Sequence, residues 1–382
     1  MALSGSVRTF RILHVLRAPI GGLFRHVIDL AGEQAARGHA VGIVADSSTG
    51  DARAAEILAD LAPKLVLGLT RVPMSRDVGP RDFAAARHVS VRAQVSDADV
   101  LHGHGAKGGA YARLARGSAM RAYTPHGGSL HYTWGSPVGA VYLALERLLK
   151  PRTDLFLFES EYGRKTYESK LGAPHGVVRV VHNGVRNEEL EPVEPESDAV
   201  DFIYVGEMRR LKGVDVLLAA LALLAAEGWN GNAILYGAGP DRAEFESRAA
   251  ALGLAHQVHF HEPQPARLAF RTGRVLVVPS RAESLPYIVL EAAAAGIPLV
   301  ATKVGGVPEI FGPDSDALVP PENAAALAAA MRAAIGDEAG PRTARLHARI
   351  ACSFTVPMMT EQILNAYEAA SVQSAPPLKI HR

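Results

Sequence analysis

Two glutamates eight positions apart, Glu283 and Glu291, lie in the stretch 277–311, VVPSRAESLPYIVLEAAAAGIPLVATKVGGVPEIF. The segment before the Ala-rich run predicts a loop that carries Glu283 and leads into a helix starting near Pro286. Glu291 then lies about one turn inside that helix. The backbone of Ser284, Leu285, Pro286 and Tyr287 would stand at the helix N-terminus, whose partial positive charge and unpaired amides suit a phosphate. A carboxylate one turn in can reach sugar hydroxyls. Two glutamates alone fit a capped surface helix better; the surrounding string reverses that.

Three other patterns invite a chemical reading. His126 follows a strand in YTPHGG, with Gly127 and Gly128 opening the backbone beside it. His102 and His104 form an H-x-H after a strand, as in metal hydrolases, but a catalytic zinc needs a third ligand and a nearby acid. His126 and His131 could be drafted for that, yet Glu283 and Glu291 would then go unexplained. Residues 103–108, GHGAKG, satisfy G-x-G-x-x-G after a strand. A dinucleotide site also needs an acidic residue about 20 positions on, and His126 occupies that region instead.

These residues need a scaffold, and the chain alternates strand and helix signals throughout. Strands are expected at 11–16, 40–45, 99–102, 122–125, 155–159 and 177–182, with helices at 23–37 and 106–116 between them. A Glu-rich stretch with Pro192 and Pro195 follows, and the pattern restarts with strands at 202–205, 233–236, 258–261, 275–278 and 298–301. Strand–helix–strand units with crossovers imply parallel pairing. The expected organisation is α/β, with two doubly wound, Rossmann-like domains facing a central cleft. The boundaries expected are 1–188, a linker at 189–200, 201–352, a helix at 353–371 packing back on the first domain, and a loose tail at 372–382. Ligands in such sheets bind beyond the carboxyl ends of the strands.

The segment from Glu283 through Glu309 resembles the retaining glycosyltransferases of family 4. These carry Glu, seven residues, Glu, an Ala-rich helix, Gly-x-Pro, a strand and Gly-Gly-x-Pro-Glu. The resemblance implies the GT-B fold and transfer from a UDP- or GDP-linked sugar with retention of configuration. It also implies that Glu291 binds the donor ribose, while Glu283 and the amides after it hold the donor sugar and phosphate. Residues 202–218, FIYVGEMRRLKGVDVLL, resemble the strand–loop–helix in which a basic pair clamps the diphosphate. Gly206 and Lys212 sit at family positions, but the arginine expected after the glycine is Glu207. Arg209 or Arg210 is left to take its place, and Glu207 is expected to point away or to pair with one of them. Gly237 and Gly239, in AILYGAGPD, resemble the loop beside the nucleotide base. VHNGV at 181–185 resembles the segment closing the first domain. Gly21 and Gly22 match the family's glycine loop, and His126 its histidine close to the transferred sugar.

The resemblance implies a saccharide or lipid-linked acceptor and a place in surface-polysaccharide synthesis. A nucleotide-sugar 2-epimerase of the same fold, or a nucleotide-sugar-binding protein without turnover, remains open. Fixed cations can neutralise a leaving diphosphate, so no metal and no cofactor are expected. Of the 382 residues, 40 are basic and 39 acidic, a balance that argues against a nucleic-acid partner but leaves room for a basic patch against the inner membrane surface. A single cysteine, Cys352, excludes an internal disulfide. The first eleven residues lack a signal-peptide core, and the longest apolar run, 216–226, is far short of the roughly 20 residues that span a bilayer. The expected location is cytoplasmic, with at most a peripheral membrane contact.

Overall fold

The computed structural model describes residues 8–128, 132–336 and 339–374. It divides into two compact units, one formed by residues 1–182 with 356–382 and the other by residues 183–355. His131 and most of the tail lie outside the described residues.

The first unit runs β1 Arg11–Leu16, α1 Gly21–Ala36, β2 Ala40–Asp46, α2 Ala52–Leu61, β3 Gly68–Val72, α3 Arg81–Val95, β4 Val100–His104, α4 Gly105–Leu114, β5 Met120–Thr124, α5 Pro137–Leu149, β6 Leu155–Phe158, α6 Glu161–Leu171 and β7 Val177–Val180. Its seven strands lie in the order β3-β2-β1-β4-β5-β6-β7, all parallel. The order reverses at β1, which sits between β2 and β4, and this is where a doubly wound sheet opens a crevice.

The second unit runs β8 Val200–Val205, α7 Val214–Ala226, β9 Ala233–Tyr236, α8 Arg242–Ala251, β10 Val258–His261, α9 Ala266–Arg271, β11 Gly273–Val278, α10 Tyr287–Ala294, β12 Leu299–Ala301, α11 Val307–Phe311, α12 Ala324–Ile335 and α13 Ala339–Ser353. Its five parallel strands are ordered β10-β9-β8-β11-β12. Strands buried on both faces read as continuous apolar runs, and LFLF of β6 is buried at all four positions. The last helix, α14 Val356–Ser374, returns to the first unit. There Met359, Ile363, Ala366 and Tyr367 pack with Ile12, Val100 and Leu155.

Several sequence expectations need correction. The stretch 189–200 is not a free linker but part of the second unit. Arg267 donates to the carbonyls of Glu189 and Glu191 at 3.0 and 2.9 Å, and Val193 N donates to Ala295 O at 2.9 Å. The second unit also begins earlier, at Asn183, whose buried amide nitrogen donates to Leu285 O at 3.2 Å. The first long helix starts at Gly21, not residue 23, so Gly21 and Gly22 form its first turn. Gly21 adopts φ +67° with open space around it.

Candidate functional site

In the second unit, the loops leaving β8, β9, β11 and β12 are knit together by glycines. A Cβ on Gly237 would lie 1.9 Å from Gly206 O, one on Gly239 2.3 Å from Met208 O, one on Gly213 2.0 Å from Pro279 O, and one on Gly305 1.8 Å from Glu283 O. No side chain fits at those distances, so the glycines allow four backbones to touch. Hydrogen bonds follow the same seams. Met208 N donates to Ala238 O at 2.8 Å and Gly306 N to Ser284 O at 2.7 Å. The Gly-Gly of the 305–309 motif is thus a seat for the Glu283 loop.

That loop brings charge to the strand ends. Lys212 Nζ donates to both oxygens of Glu283, at 2.8 and 2.9 Å. Ser280 Oγ donates to Glu283 Oε1 at 2.7 Å. Glu283 is buried and Lys212 partly exposed. Helix α10 begins at Tyr287 with Pro286 as its N-cap, and half-buried Glu291 lies one turn in. Of the four amides expected at this terminus, Pro286 supplies none, because proline has no N–H. Leu285 is held by Asn183 through its carbonyl, a contact that sequence reasoning missed.

The basic loop separates its two arginines. Arg210 is drawn aside: its guanidinium donates to Glu244 at 2.7 Å and its backbone N to Asp241 at 2.7 Å. Arg209 stays with Glu207, at 3.8 Å between half-exposed groups. Arg281, not singled out in the sequence, makes a bidentate pair with Asp215 at 2.7 and 2.8 Å, which ties the start of α7 to the Glu283 loop. Two Asp-x-Asp tripeptides occur, and both serve structure. Asp99 accepts from Arg11 N at 2.8 Å, and Asp314 accepts from Arg345 at 2.6 Å.

The first unit holds a different centre. His14 and His102 face each other in the register of β1 and β4, and His104, His26 and His126 join them. His14 Nδ1 lies 3.0 Å from His104 Nε2, His104 Nδ1 3.1 Å from His126 Nε2, and His126 Nδ1 3.4 Å from a Glu159 oxygen. His102 is spanned by Tyr367 and Thr124, each at 2.8 Å. The His26 ring stands edge-on to His126, centroids 4.7 Å apart. Burial favours the neutral form and holds His14 down to about 4, with His102, His104 and His126 well below the ordinary range.

The hydrogen-bond chain runs between two acceptors: the Gln34 amide oxygen accepts from His14 Nε2 at 2.8 Å at one end, and the Glu159 carboxylate lies 3.4 Å from His126 Nδ1 at the other. Two triplets, His14–His102–His104 and His26–His104–His126, bring ring nitrogens within 4.8 Å of one another, close enough to ligate an ion. The hydrogen bonds already account for the nitrogens of His14, His102 and His104.

His126 therefore spends both ring nitrogens inside the network. What it offers at the end of β5 is a backbone corner, with φ +51° at His126 and +70° at Gly127. Sequence reasoning missed His14, His26 and Glu159. Buried polar groups must find partners, so two histidines on one face of a buried strand, His102 and His104, were the available signal. The G-x-G-x-x-G pattern is explained by packing. A Cβ on Gly108 would meet Val15 O at 2.3 Å, and one on Gly103 would meet Gly109 Cα at 2.6 Å, so α4 lies directly on the sheet.

Comparison with known proteins agrees with this architecture. Residues 185–350 match the family described as glycosyl transferases group 1, and residues 20–189 match glycosyltransferase family 4. The chain is similar to a D-inositol 3-phosphate glycosyltransferase of Streptomyces avermitilis, 35% identical over 36% of this chain and 34% of the relative. A D-inositol 3-phosphate glycosyltransferase of Catenulispora acidiphila is 31% identical over 52% of this chain and 53% of its own. These matches span about a third to a half of the relatives' length. The fold is similar to that of sucrose-phosphate synthase from Thermosynechococcus elongatus, with a TM-score of 0.78 at 20% identity over 96% of this chain and 100% of that one. With the two family matches together running from residue 20 to residue 350, the chain belongs to the group 1, family 4 glycosyltransferases of GT-B fold.

Proposed function

We propose that this chain transfers a sugar, with retention and without a metal ion, from a UDP- or GDP-linked donor to a saccharide or lipid-linked acceptor in surface-polysaccharide synthesis. The observation that carries the reading is the convergence of Lys212, Glu283 and the start of α10 at the glycine-knit strand ends of the second unit. There Lys212, Arg209 and the amides of Ser284 and Leu285 hold the diphosphate, and Arg210, taken by Glu244, does not. Gly206, Gly237 and Gly239 let the nucleotide approach the backbone, and Glu291 takes the ribose.

Before the donor arrives, the Lys212 charge is neutralised by Glu283. A diphosphate then shares the cation, which frees Glu283 oxygens for the hydroxyls of the donor sugar. As the glycosidic bond breaks, fixed charges that need no rearrangement stabilise the leaving phosphate. That phosphate accepts the proton of the incoming acceptor hydroxyl on the same face of the sugar. In the first unit, Gly21, Gly22 and the His126 corner shape the acceptor side.

The test is product analysis with a radiolabelled donor in the presence of EDTA. Sugar transferred to an acceptor with retained configuration is the expected outcome. A 2-epimer would establish the epimerase instead, donor bound but unchanged would establish a binding protein, and loss of activity on chelation with rescue by manganese would contradict the metal-free clamp.

A further inference from the structure

The proposed diphosphate contacts lie at the ends of β8 and β11, and the second sheet continues outward from β8 through β9 to the edge strand β10. Neighbouring strands stand about 4.8 Å apart, so the end of β10 lies about 10 Å beyond that of β8. This is the reach of a nucleoside from its phosphate to the far edge of its base. The backbone is open in that direction: Gly237 and Gly239 carry no side chain beyond β9, and Gly237 N donates to His261 O at 3.1 Å, which joins the two strand ends. The first residue past β10 is Glu262, whose side chain is 80% exposed. Its position is fixed by one guanidinium. Arg242 Nη1 donates to Glu262 Oε1 at 2.6 Å and to Gly237 O at 3.2 Å. Arg242 Nη2 donates to Phe260 O at 3.4 Å, and its Nε to Glu246 at 2.9 Å. An arginine fastened to the backbone of both strand ends thus holds a carboxylate beside the Gly237 loop. Among the described residues Glu262 Oε2 accepts no hydrogen bond.

We infer that Glu262 reads the nucleobase and that the donor is a guanosine-diphosphate sugar. A carboxylate is an acceptor only, with two oxygens side by side and lone pairs to spare beyond the one Arg242 takes. The Watson–Crick edge of guanine offers two adjacent donors, N1–H and the 2-amino group. Uracil presents a single N–H between two carbonyl oxygens, so a carboxylate that meets the N–H also meets a carbonyl. Adenine and cytosine each set one amino group beside a ring nitrogen that accepts. Guanine is therefore the base that satisfies both oxygens. The charge of Arg242 offsets that of Glu262, which would otherwise repel the phosphates of the same ligand. The inference rests on the nucleoside-diphosphate reading of the second unit and chooses between the two donors which that reading leaves open.

The experiment is titration calorimetry of the full chain with GDP, UDP, ADP and inosine diphosphate, the last lacking only the 2-amino group of GDP. GDP should bind about tenfold tighter than UDP or ADP, and inosine diphosphate should fall between them, because one of two charge-assisted hydrogen bonds is lost. Glu262→Gln replaces one acceptor oxygen by a donor. It should weaken GDP about tenfold, change UDP less than about twofold, and narrow the gap between GDP and inosine diphosphate. Glu262 is exposed, so the Tm of this variant should match that of the parent. A GDP affinity no higher than that for UDP overturns the inference while the donor site stands, and so does a GDP-to-UDP ratio that Glu262→Gln leaves unchanged. If none of the four nucleotides binds, the donor reading of the second unit fails, and this inference with it.

Discussion

The two sheets end in opposite kinds of chemistry. Along β1 and β4 and just beyond β5 and β6 the first unit packs neutral imidazoles into a buried hydrogen-bond chain. Beyond β8, β9, β11 and β12 the second unit holds a formal ion pair in loops that glycines bring into contact. The first arrangement uses polar groups to fix a backbone corner and leaves no nitrogen of His126 to spare. The second keeps a cation and a carboxylate that a phosphate and a sugar can take over. The first centre is closed upon itself, whereas the second is the one proposed to exchange partners.

That contrast is broken most strongly by acid. His14, His102, His104 and His126 each have a folded-state pKa below the unfolded value of about 6.5. The unfolded chain therefore binds more protons as pH falls, and stability is complete above about 6.5 and lost below it. His14 reaches this limit near 4, and each ring that stays neutral costs about 1.4 kcal/mol per pH unit. With His14, His102, His104 and His126 all held below the ordinary range, Tm should fall steeply between about pH 6.5 and 5. A flat Tm over that window would mean that the chain of neutral rings does not exist.

In the second unit Lys212→Ala should be the most damaging change in its loop. It leaves Glu283, which is buried, without its cation, at a cost of about 2–3 kcal/mol, and it removes the proposed diphosphate contact. Turnover should fall roughly 100-fold, with Tm also lowered. Glu291→Ala should weaken nucleotide binding by about 1.5–3 kcal/mol, the loss of a charged hydrogen bond to ribose. An unchanged dissociation constant in calorimetry would remove Glu291 from the site.

How much of this the sequence disclosed follows the same division. The second site is local. Glu283, the helix start, Glu291 and Gly305–Gly306 lie within 24 positions of one another, and their spacing alone set out the loop–helix geometry. The first centre is assembled from positions 14, 26, 102, 104, 126 and 159, brought together by strand order, which no local pattern encodes. Strand and helix alternation gave the two doubly wound sheets, but edge strand β3 went unread. Its GLTRV is half-buried for most of its length, so it lacks the apolar run that marked its neighbours. Glu and Pro between 186 and 201 looked like a linker because charge usually signals solvent. Here the backbone carbonyls of Glu189 and Glu191, accepting from Arg267, fasten the segment, and Glu196 pairs with Arg271.

The smallest effects concern the position where the family arginine is missing. Glu207 would repel a diphosphate, and two unit charges about 4 Å apart at an effective dielectric of about 20 interact by roughly 4 kcal/mol before desolvation. Arg209 lies 3.8 Å from it and half exposed, so its charge offsets Glu207 and can swing to a phosphate. Arg210 cannot do so without giving up Glu244 at 2.7 Å. Arg209→Ala should therefore lower kcat/KM about tenfold, since one exposed cation is lost and Glu207 is left uncompensated. Arg210→Ala should change it less than about twofold, because that side chain sits in a surface pair of small worth. Glu207→Ala in the Arg209→Ala background should recover part of the loss by removing the repulsion. If Arg210→Ala proves the more harmful of the two, the arginines have exchanged roles. If neither changes turnover, the clamp works with Lys212 and the helix terminus alone.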